Sequence, residues 1–332
     1  MNTPRVNWNP PLSRHLVQSG VFKTDPFCLV DVGASGGIDG YWDIFGDSLR
    51  AIGFDGLTNE VERLNALGHP NRRYYSYLVG DKGYQPATGV PDTQPFPLTS
   101  AARAQEITKR SFAETYYDRS GQCLYATETI ELDQFLRDNP MDVDFIKIDT
   151  DGSDYQVLRG AKQLLSNGRV LGIGIEAQFH GLVHDESNTF RNIDRLLTGF
   201  GFCLFDLEVY RYSRSALPKR FLYRMPAQTE AGQVIWGDAL YLRDAGRKDY
   251  ESDWHITLPP HKILKLACIS EVFGMEDCAA ELLLKYEPML SGLVDVRACL
   301  DKLTPTVNGE KLSYQSYIQR FEANPEWLFP LK

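Results

Sequence analysis

The chain has 332 residues, 43% of them hydrophobic and 24% charged, the balance of a soluble main domain with a smaller appendage. Its 35 Lys and Arg against 44 Asp and Glu leave a formal net charge of -9, so no cationic surplus exists to neutralise a phosphate backbone, and a DNA- or RNA-coating role is not expected. Residues 1–20 lack the apolar core of a secretory signal, no apolar run nears the ~18 residues of a membrane span, and Cys28, Cys123, Cys203, Cys268, Cys278 and Cys299 are scattered without a C-x-x-C pair, so a cytoplasmic, reducing setting is expected.

Short β-rich runs alternate with segments of helical period, the pattern of a mostly parallel sheet with helices on both faces. Five strands are expected in chain order, at residues 27–32, 51–55, 74–79, 144–149 and 170–175, most of them apolar enough to be buried on both sides. After the fourth, Val157, Leu158, Ala161, Leu164 and Leu165 share one helical face, which predicts a helix capped by Ser153 and stopped by Gly168. After the fifth, Ile193, Leu196 and Leu197 predict another, stopped at Gly199 and Gly201. Two further strands, at 202–207 and 239–243, flank a polar stretch with no helical period, which points to a hairpin and brings the sheet to seven strands. Beyond Gly246 the pattern is of helices alone. The expected division is a main domain over 1–246, with a lead-in over 1–26, and a C-terminal helical region over 247–332, the boundary falling near 246–258.

The most informative stretch is Asp31-Val32-Gly33-Ala34-Ser35-Gly36-Gly37, a strand running into a glycine-rich turn. Ser35 occupies the place where the dinucleotide fingerprint requires a second glycine, which weakens the case for NAD. Asp31 would repel a pyrophosphate but suits the ammonium and sulfonium charges of S-adenosylmethionine. A nucleoside at the turn also needs an acceptor for its ribose hydroxyls about 20 residues on, at the end of the second strand, and Asp55 stands there. Asp81, just after the third strand, is within expected reach of the adenine amino group. The expected cofactor set is therefore Asp31, Gly33, Ser35, Gly37, Asp55 and Asp81, with S-adenosylmethionine as the ligand.

Ligands in open α/β sheets sit at the carboxyl ends of the strands, so the chemistry is sought in Asp149-Thr150-Asp151-Gly152 and in Glu176 to His180. Lys147 and Asp149 share a strand face, and a lysine with two acids there must be paired or used. Asp149 or Asp151 is the candidate to orient or deprotonate an acceptor hydroxyl, with Glu176 or His180 as the rival base. Zinc on His180 and His184 lacks a third ligand, magnesium on Asp149, Asp151 and Glu176 has no better support, and no metal is expected.

These motifs together resemble the FkbM family of methyltransferases. Residues 31–37 resemble its first motif, Gly53-Phe54-Asp55 its ribose-binding strand, and residues 130–136 the segment before its fourth strand; the most specific match is the run from Phe145 to Ala161. Gly201-Phe202-Cys203-Leu204 and Gly237-Asp238-Ala239-Leu240-Tyr241 are similar to its last two strands, so the resemblance covers about residues 27 to 243. It implies a class I, Rossmann-like methyltransferase that moves a methyl group from S-adenosylmethionine to a hydroxyl, often on a sugar of a surface glycan or on a secondary metabolite. Ser35 stands where the family has Asn, Asp55-Gly56 where it has Glu-Pro, and Asp151 where it has Glu, so two acids keep their charge but lose a methylene.

Between Asp81 and Glu128 a long insertion carries Tyr84, Phe96, Arg103, Lys109, Arg110, Phe112, Tyr116, Tyr117 and Arg119. Its aromatic and basic residues suit an acceptor wall or an amphipathic cover over the sheet, and Tyr41 and Trp42 face the same choice. The expected partner is a small-molecule or glycan acceptor. Two rival readings are a nucleotide-dependent oxidoreductase on the same sheet and a non-catalytic cofactor-binding protein that docks through its helical tail. The tail's apolar faces suit self-covering or a homo-oligomer contact alike.

Overall fold

The computed structural model describes residues 6–83, 126, 128–150, 152–179, 187–212, 229–307 and 309–327. The chain forms two compact units, one of residues 28–38 and 51–243, the other of residues 1–27, 39–50 and 244–332.

The first unit is built on a seven-stranded sheet. Its strands are β1 (Phe27–Val32), β2 (Leu49–Asp55), β3 (Arg72–Ser76), β6 (Phe145–Ile148), β7 (Gly172–Gln178), β8 (Phe202–Tyr212) and β9 (Gln233–Arg243). Two short strands, β4 (Leu78–Val79) and β5 (Thr129–Ile130), pair in parallel outside it. The order is β3-β2-β1-β6-β7-β9-β8, with β9 antiparallel to both neighbours and the β1–β6, β2–β3 and β6–β7 pairs parallel. This is a Rossmann-like arrangement, and its strand order reverses between β1 and β6, the place at whose carboxyl ends sheets of this kind bind their ligands. The apolar runs explain the core: Val30, Ile146, Ile148, Ile173, Ile175 and Tyr241 are buried along neighbouring strands, with Leu132, Val157, Leu158 and Ile193 packed on them from the helices.

Several expectations need correction. The third strand is not continuous over 74–79: Arg72–Ser76 joins the large sheet, while Leu78–Val79 leaves it to pair with β5. The helix after β6 is two helices, Asp154–Arg159 and Lys162–Ser166, broken at Gly160. The break is held from another element, because Asp133 donates its backbone N–H to the Gly160 carbonyl at 2.9 Å while its carboxylate accepts the Gln163 and Leu164 N–H groups, both at 2.8 Å. Ser153 supplies no side-chain cap. Asp154 instead folds back to accept from the Thr150 backbone N–H and hydroxyl, at 2.9 and 3.0 Å.

Arg243, at the end of β9, shows how the far end of this unit is closed. It is fully buried, and its guanidinium donates to the carbonyls of Val170 (2.6 Å), Phe200 (3.0 Å) and Leu165 (2.9 Å) while lying 4.1 Å from the centre of the Phe202 ring. Leu165 and Phe200 end two helices, so one cation serves two helix C-termini, where positive charge is favoured. Arg243→Met is expected to leave these carbonyls without their donor and to lower the unfolding free energy by about 3–5 kcal/mol. A urea melt checks this: a lower midpoint at unchanged slope is expected, and a loss under ~1 kcal/mol would show that water replaces the guanidinium.

The second unit packs aromatic rings against a nearly all-buried helix, Pro260–Val272. Phe27 stacks on Phe45 at 4.1 Å and on Trp42 at 5.0 Å, and Trp42 meets Phe273 edge-on at 6.0 Å. Trp42 is therefore a core residue of this unit and no acceptor wall; Tyr41 beside it is partly buried, with its hydroxyl 3.1 Å from Asp39. Glu271 receives the Leu12 and Ser13 N–H groups, both at 2.7 Å, capping the helix Pro11–Ser19. The tail is not of helices alone, because Thr306–Val307 and Glu310–Lys311 form an antiparallel pair across an Asn-Gly step, a strong hairpin signal. Among the described residues no helix is long and apolar enough to cross a membrane, and the five described cysteines are free thiols.

Candidate functional site

The glycine turn leaves β1 at Gly33, whose φ is +86°. Gly33 and Ala34 both donate their N–H groups to the Phe54 carbonyl of β2 at 2.9 Å, and Asp149 donates its own to Val32 at 2.9 Å. The turn is thereby clamped between the strands on either side. A Cβ on Gly33 would stand 1.7 Å from the Asp149 carbonyl oxygen, so the close approach that demands glycine here is that of the chain's own backbone after β6. Ser35 is exposed, and its backbone amide slightly favours the charged form of the Asp55 carboxyl. Gly36 donates to Glu60 at 3.0 Å; Arg63 grips the same carboxylate with two bonds of 2.7 Å and holds it below the usual range. Gly37 lies against Leu64 and the Tyr74 hydroxyl.

Lys147 gathers the next residues. The β1–β6 register sets it opposite Asp31, and its ammonium donates to the Gly33 carbonyl at 2.9 Å, with Asp31 at 3.3 Å and Asp149 at 3.6 Å. Asp31 is almost fully buried, which is tolerable for a carboxylate only with such a neighbour. Asp55, at the tip of β2, is buried too, and accepts the Leu57 N–H at 2.7 Å. Burial raises its pKa, partly offset by that hydrogen bond. Asp81 pairs with Arg159 Nε at 2.8 Å. Asp154 is wholly buried and is also bonded to Asn188 at 3.1 Å; burial raises its pKa, opposed chiefly by the Thr150 N–H, and it fixes the loop that carries Asp149.

Further along the same sheet face the carboxylates continue in a row. Glu176 on β7 lies opposite Asp238 on β9, which lies opposite Glu208 on β8. Continuing the β6–β7 register one residue past Ile148 and Ile175 brings Asp149 level with Glu176. Asp238 is half-buried and accepts from the Tyr210 hydroxyl at 3.1 Å, and the Tyr210 ring stacks on Trp236 at 3.9 Å. Burial first, and the charge of Asp149 second, push the Asp238 carboxyl up to about 7.

The structure thus brings Asp31, Gly33 and Asp149 together around Lys147, Ser35 together with Asp55, and Glu176 beside Asp238. Asp151, His180 and the insertion from Tyr84 to Arg119 lie outside the described residues. Sequence reasoning passed over Glu60, Asp154, Tyr210 and Asp238. Only Asp238 left a trace: an acid between apolar residues in Gly237-Asp238-Ala239-Leu240, at a position where alternation sets it on the face of Trp236 and Leu240. Among the described residues no three of His, Cys, Asp and Glu are arranged to hold a metal ion.

Set against known proteins, residues 31–204, more than half of the chain, match the family model described as the methyltransferase FkbM domain. No curated protein matches the sequence. Among solved structures, the precorrin-6y C5,15-methyltransferase from Geobacter metallireducens is 10% identical, covering 69% of this chain and 86% of its own, with a TM-score of 0.32. An S-adenosylmethionine-dependent methyltransferase from Agrobacterium tumefaciens is 9% identical, covering 69% and 60%, at 0.34. The magnesium protoporphyrin IX methyltransferase from Synechocystis is 9% identical, covering 70% and 80%, at 0.30. TM-scores this low carry no argument about activity.

Proposed function

Since the chain belongs to the FkbM methyltransferase family, and so takes S-adenosylmethionine as its methyl donor, we propose that it methylates a hydroxyl group, that of a sugar in a surface glycan or a related metabolite. Membership sets the nicotinamide reading aside. The observation that carries the proposal is the line of carboxylates from Asp31 to Asp238 along the strand ends, with Lys147 offsetting part of their charge. Such a donor set fits a cationic sulfur ligand on one side and a hydroxylated acceptor on the other.

Bound S-adenosylmethionine supplies a methyl group already activated by positive sulfur, so the protein's task is mainly alignment. In this reading Asp31, Gly33, Ser35 and Gly37 form the cradle, Asp55 takes the ribose hydroxyls and Asp81 the adenine amino group. Asp149 orients the acceptor hydroxyl, and Asp151, Glu176 and His180 are further candidates to contact it. Asp149→Asn is expected to keep donor affinity while turnover falls by ~10², the size of a lost positioning contact. Calorimetry with the donor, alongside radiolabelled methyl transfer, checks this; full turnover in the variant would remove Asp149 from the mechanism. The wider reading is tested by mass spectrometry for co-purifying donor and a labelled-methyl screen over nucleotide sugars and glycans. Transfer to nitrogen or carbon alone would overturn the hydroxyl assignment.

A further inference from the structure

An acceptor hydroxyl must lose its proton as it is methylated, and a carboxylate in its ordinary range is a weak base for an alcohol. The strand-end row offers several carboxylates, and they are not equivalent. Asp149 shares the Lys147 ammonium with Asp31, which commits its charge to an ion network. Asp238 is placed differently. It stands mid-row, opposite Glu176 on one side and Glu208 on the other, with Asp149 acting on it from β6 and Lys147 only weakly offsetting them. Its Oδ2 is anchored by the Tyr210 hydroxyl at 3.1 Å, and Tyr210 is itself held by its stack on Trp236. An aimed, half-buried carboxyl among like charges is the arrangement that makes a carboxylate a competent base at neutral pH.

We propose that Asp238, anchored by Tyr210 in the row between Glu176 and Glu208, is the proton acceptor of the methyl transfer. This rests on the hydroxyl reading above. The acceptor oxygen bonds to the methyl carbon as the bond from that carbon to sulfur breaks; the electron pair stays on sulfur, which departs as a neutral thioether. The hydroxyl proton passes to an Asp238 carboxylate oxygen and then to solvent.

The raised carboxyl, at about 7, is consistent with that role and sets the sign of the tests. Rate should fall as pH drops below about 7. Tyr210 donates to the charged form, so Tyr210→Phe moves this acid limb to higher pH, whereas Glu208→Gln removes a like charge and moves it lower. The first measurement is a ¹³C-carboxyl aspartate NMR titration of the full chain, with Asp238→Asn identifying the signal; it needs no acceptor. A midpoint near neutrality that shifts as stated supports the assignment, and one in the ordinary aspartate range overturns it. The second is labelled methyl transfer to a panel of methyl glycosides and nucleotide sugars. Asp238→Asn should bind donor as the unaltered protein does and lose ~10²–10⁴ in kcat. If the unaltered protein transfers to this panel and Asp238→Asn does so equally well, the assignment alone fails. If the unaltered protein transfers only to non-hydroxyl acceptors, the hydroxyl reading fails and this assignment with it.

Discussion

Gly33→Ala is expected to be the most damaging single substitution in the site, costing about 4 kcal/mol or more of stability and all measurable donor binding. Two effects add. A φ of +86° costs an alanine roughly 1–2 kcal/mol. The larger effect is steric, because the new methyl would stand 1.7 Å from the Asp149 carbonyl oxygen, well inside any contact distance. That carbonyl cannot simply yield, since the same residue's N–H is tied to Val32 and its side chain to Lys147. The ends of β1 and β6 would have to part, taking with them the bonds from Gly33 and Ala34 to Phe54. Gly36→Ala is the control: it shares a positive φ, +84°, but among the described residues no atom beyond its own chain neighbours lies within 4 Å of its Cβ position, so it should lose only the backbone cost. Urea unfolding of both variants, with calorimetry for the donor, distinguishes them. Equal losses would show that backbone conformation, and not the approach of Asp149, is what the turn requires.

Lys147→Met comes next in expected effect. Methionine keeps most of the stem and removes the cation, taking the ammonium 3.3 Å away from nearly buried Asp31 and the donor away from the Gly33 carbonyl. Breaking a buried pair in this way costs about 3–5 kcal/mol, more than the pair contributes against an apolar replacement, because the desolvated charge is left behind. The double variant Asp31→Asn with Lys147→Met should therefore recover part of the loss, with a coupling of ~1–3 kcal/mol. Donor affinity is expected to fall in the single variant, because the ammonium also holds the Gly33 carbonyl at the start of the turn. Additive losses in the cycle would mean that Asp31 and Lys147 contribute independently, and that the 3.3 Å contact carries little energy.

Much of the fold was legible in the residues. Phe27 to Val32 is apolar except for Asp31, and a six-residue run of that kind is a buried strand whatever its neighbours. The glycine turn and the acid at the tip of β2 were legible as local features at a known spacing. The polar stretch before β9 pointed to a hairpin, and β8 and β9 do pair antiparallel. The helix after β6 was misread for a physical reason: its hydrophobic period runs unbroken through Gly160, and the break is imposed by Asp133, remote in sequence. Trp42 stayed open between two readings in the sequence, since an aromatic residue after a glycine turn has the same signature whether it lines a crevice or stacks in a core, and the structure puts it in a core.

Local pattern alone therefore determined which segments are strands, where the chain turns, and that a glycine-rich bend is followed by acids at successive strand ends. Those properties depend on side-chain period and backbone freedom over a few residues. Tertiary structure alone decided which charges meet: Lys147 against Asp31, Glu60 against the glycine turn, Asp238 between two glutamates. Which strands are neighbours, and in what register, is set by packing across more than a hundred residues of chain, and the electrostatic character of each acid follows from that register and not from its own neighbours in sequence.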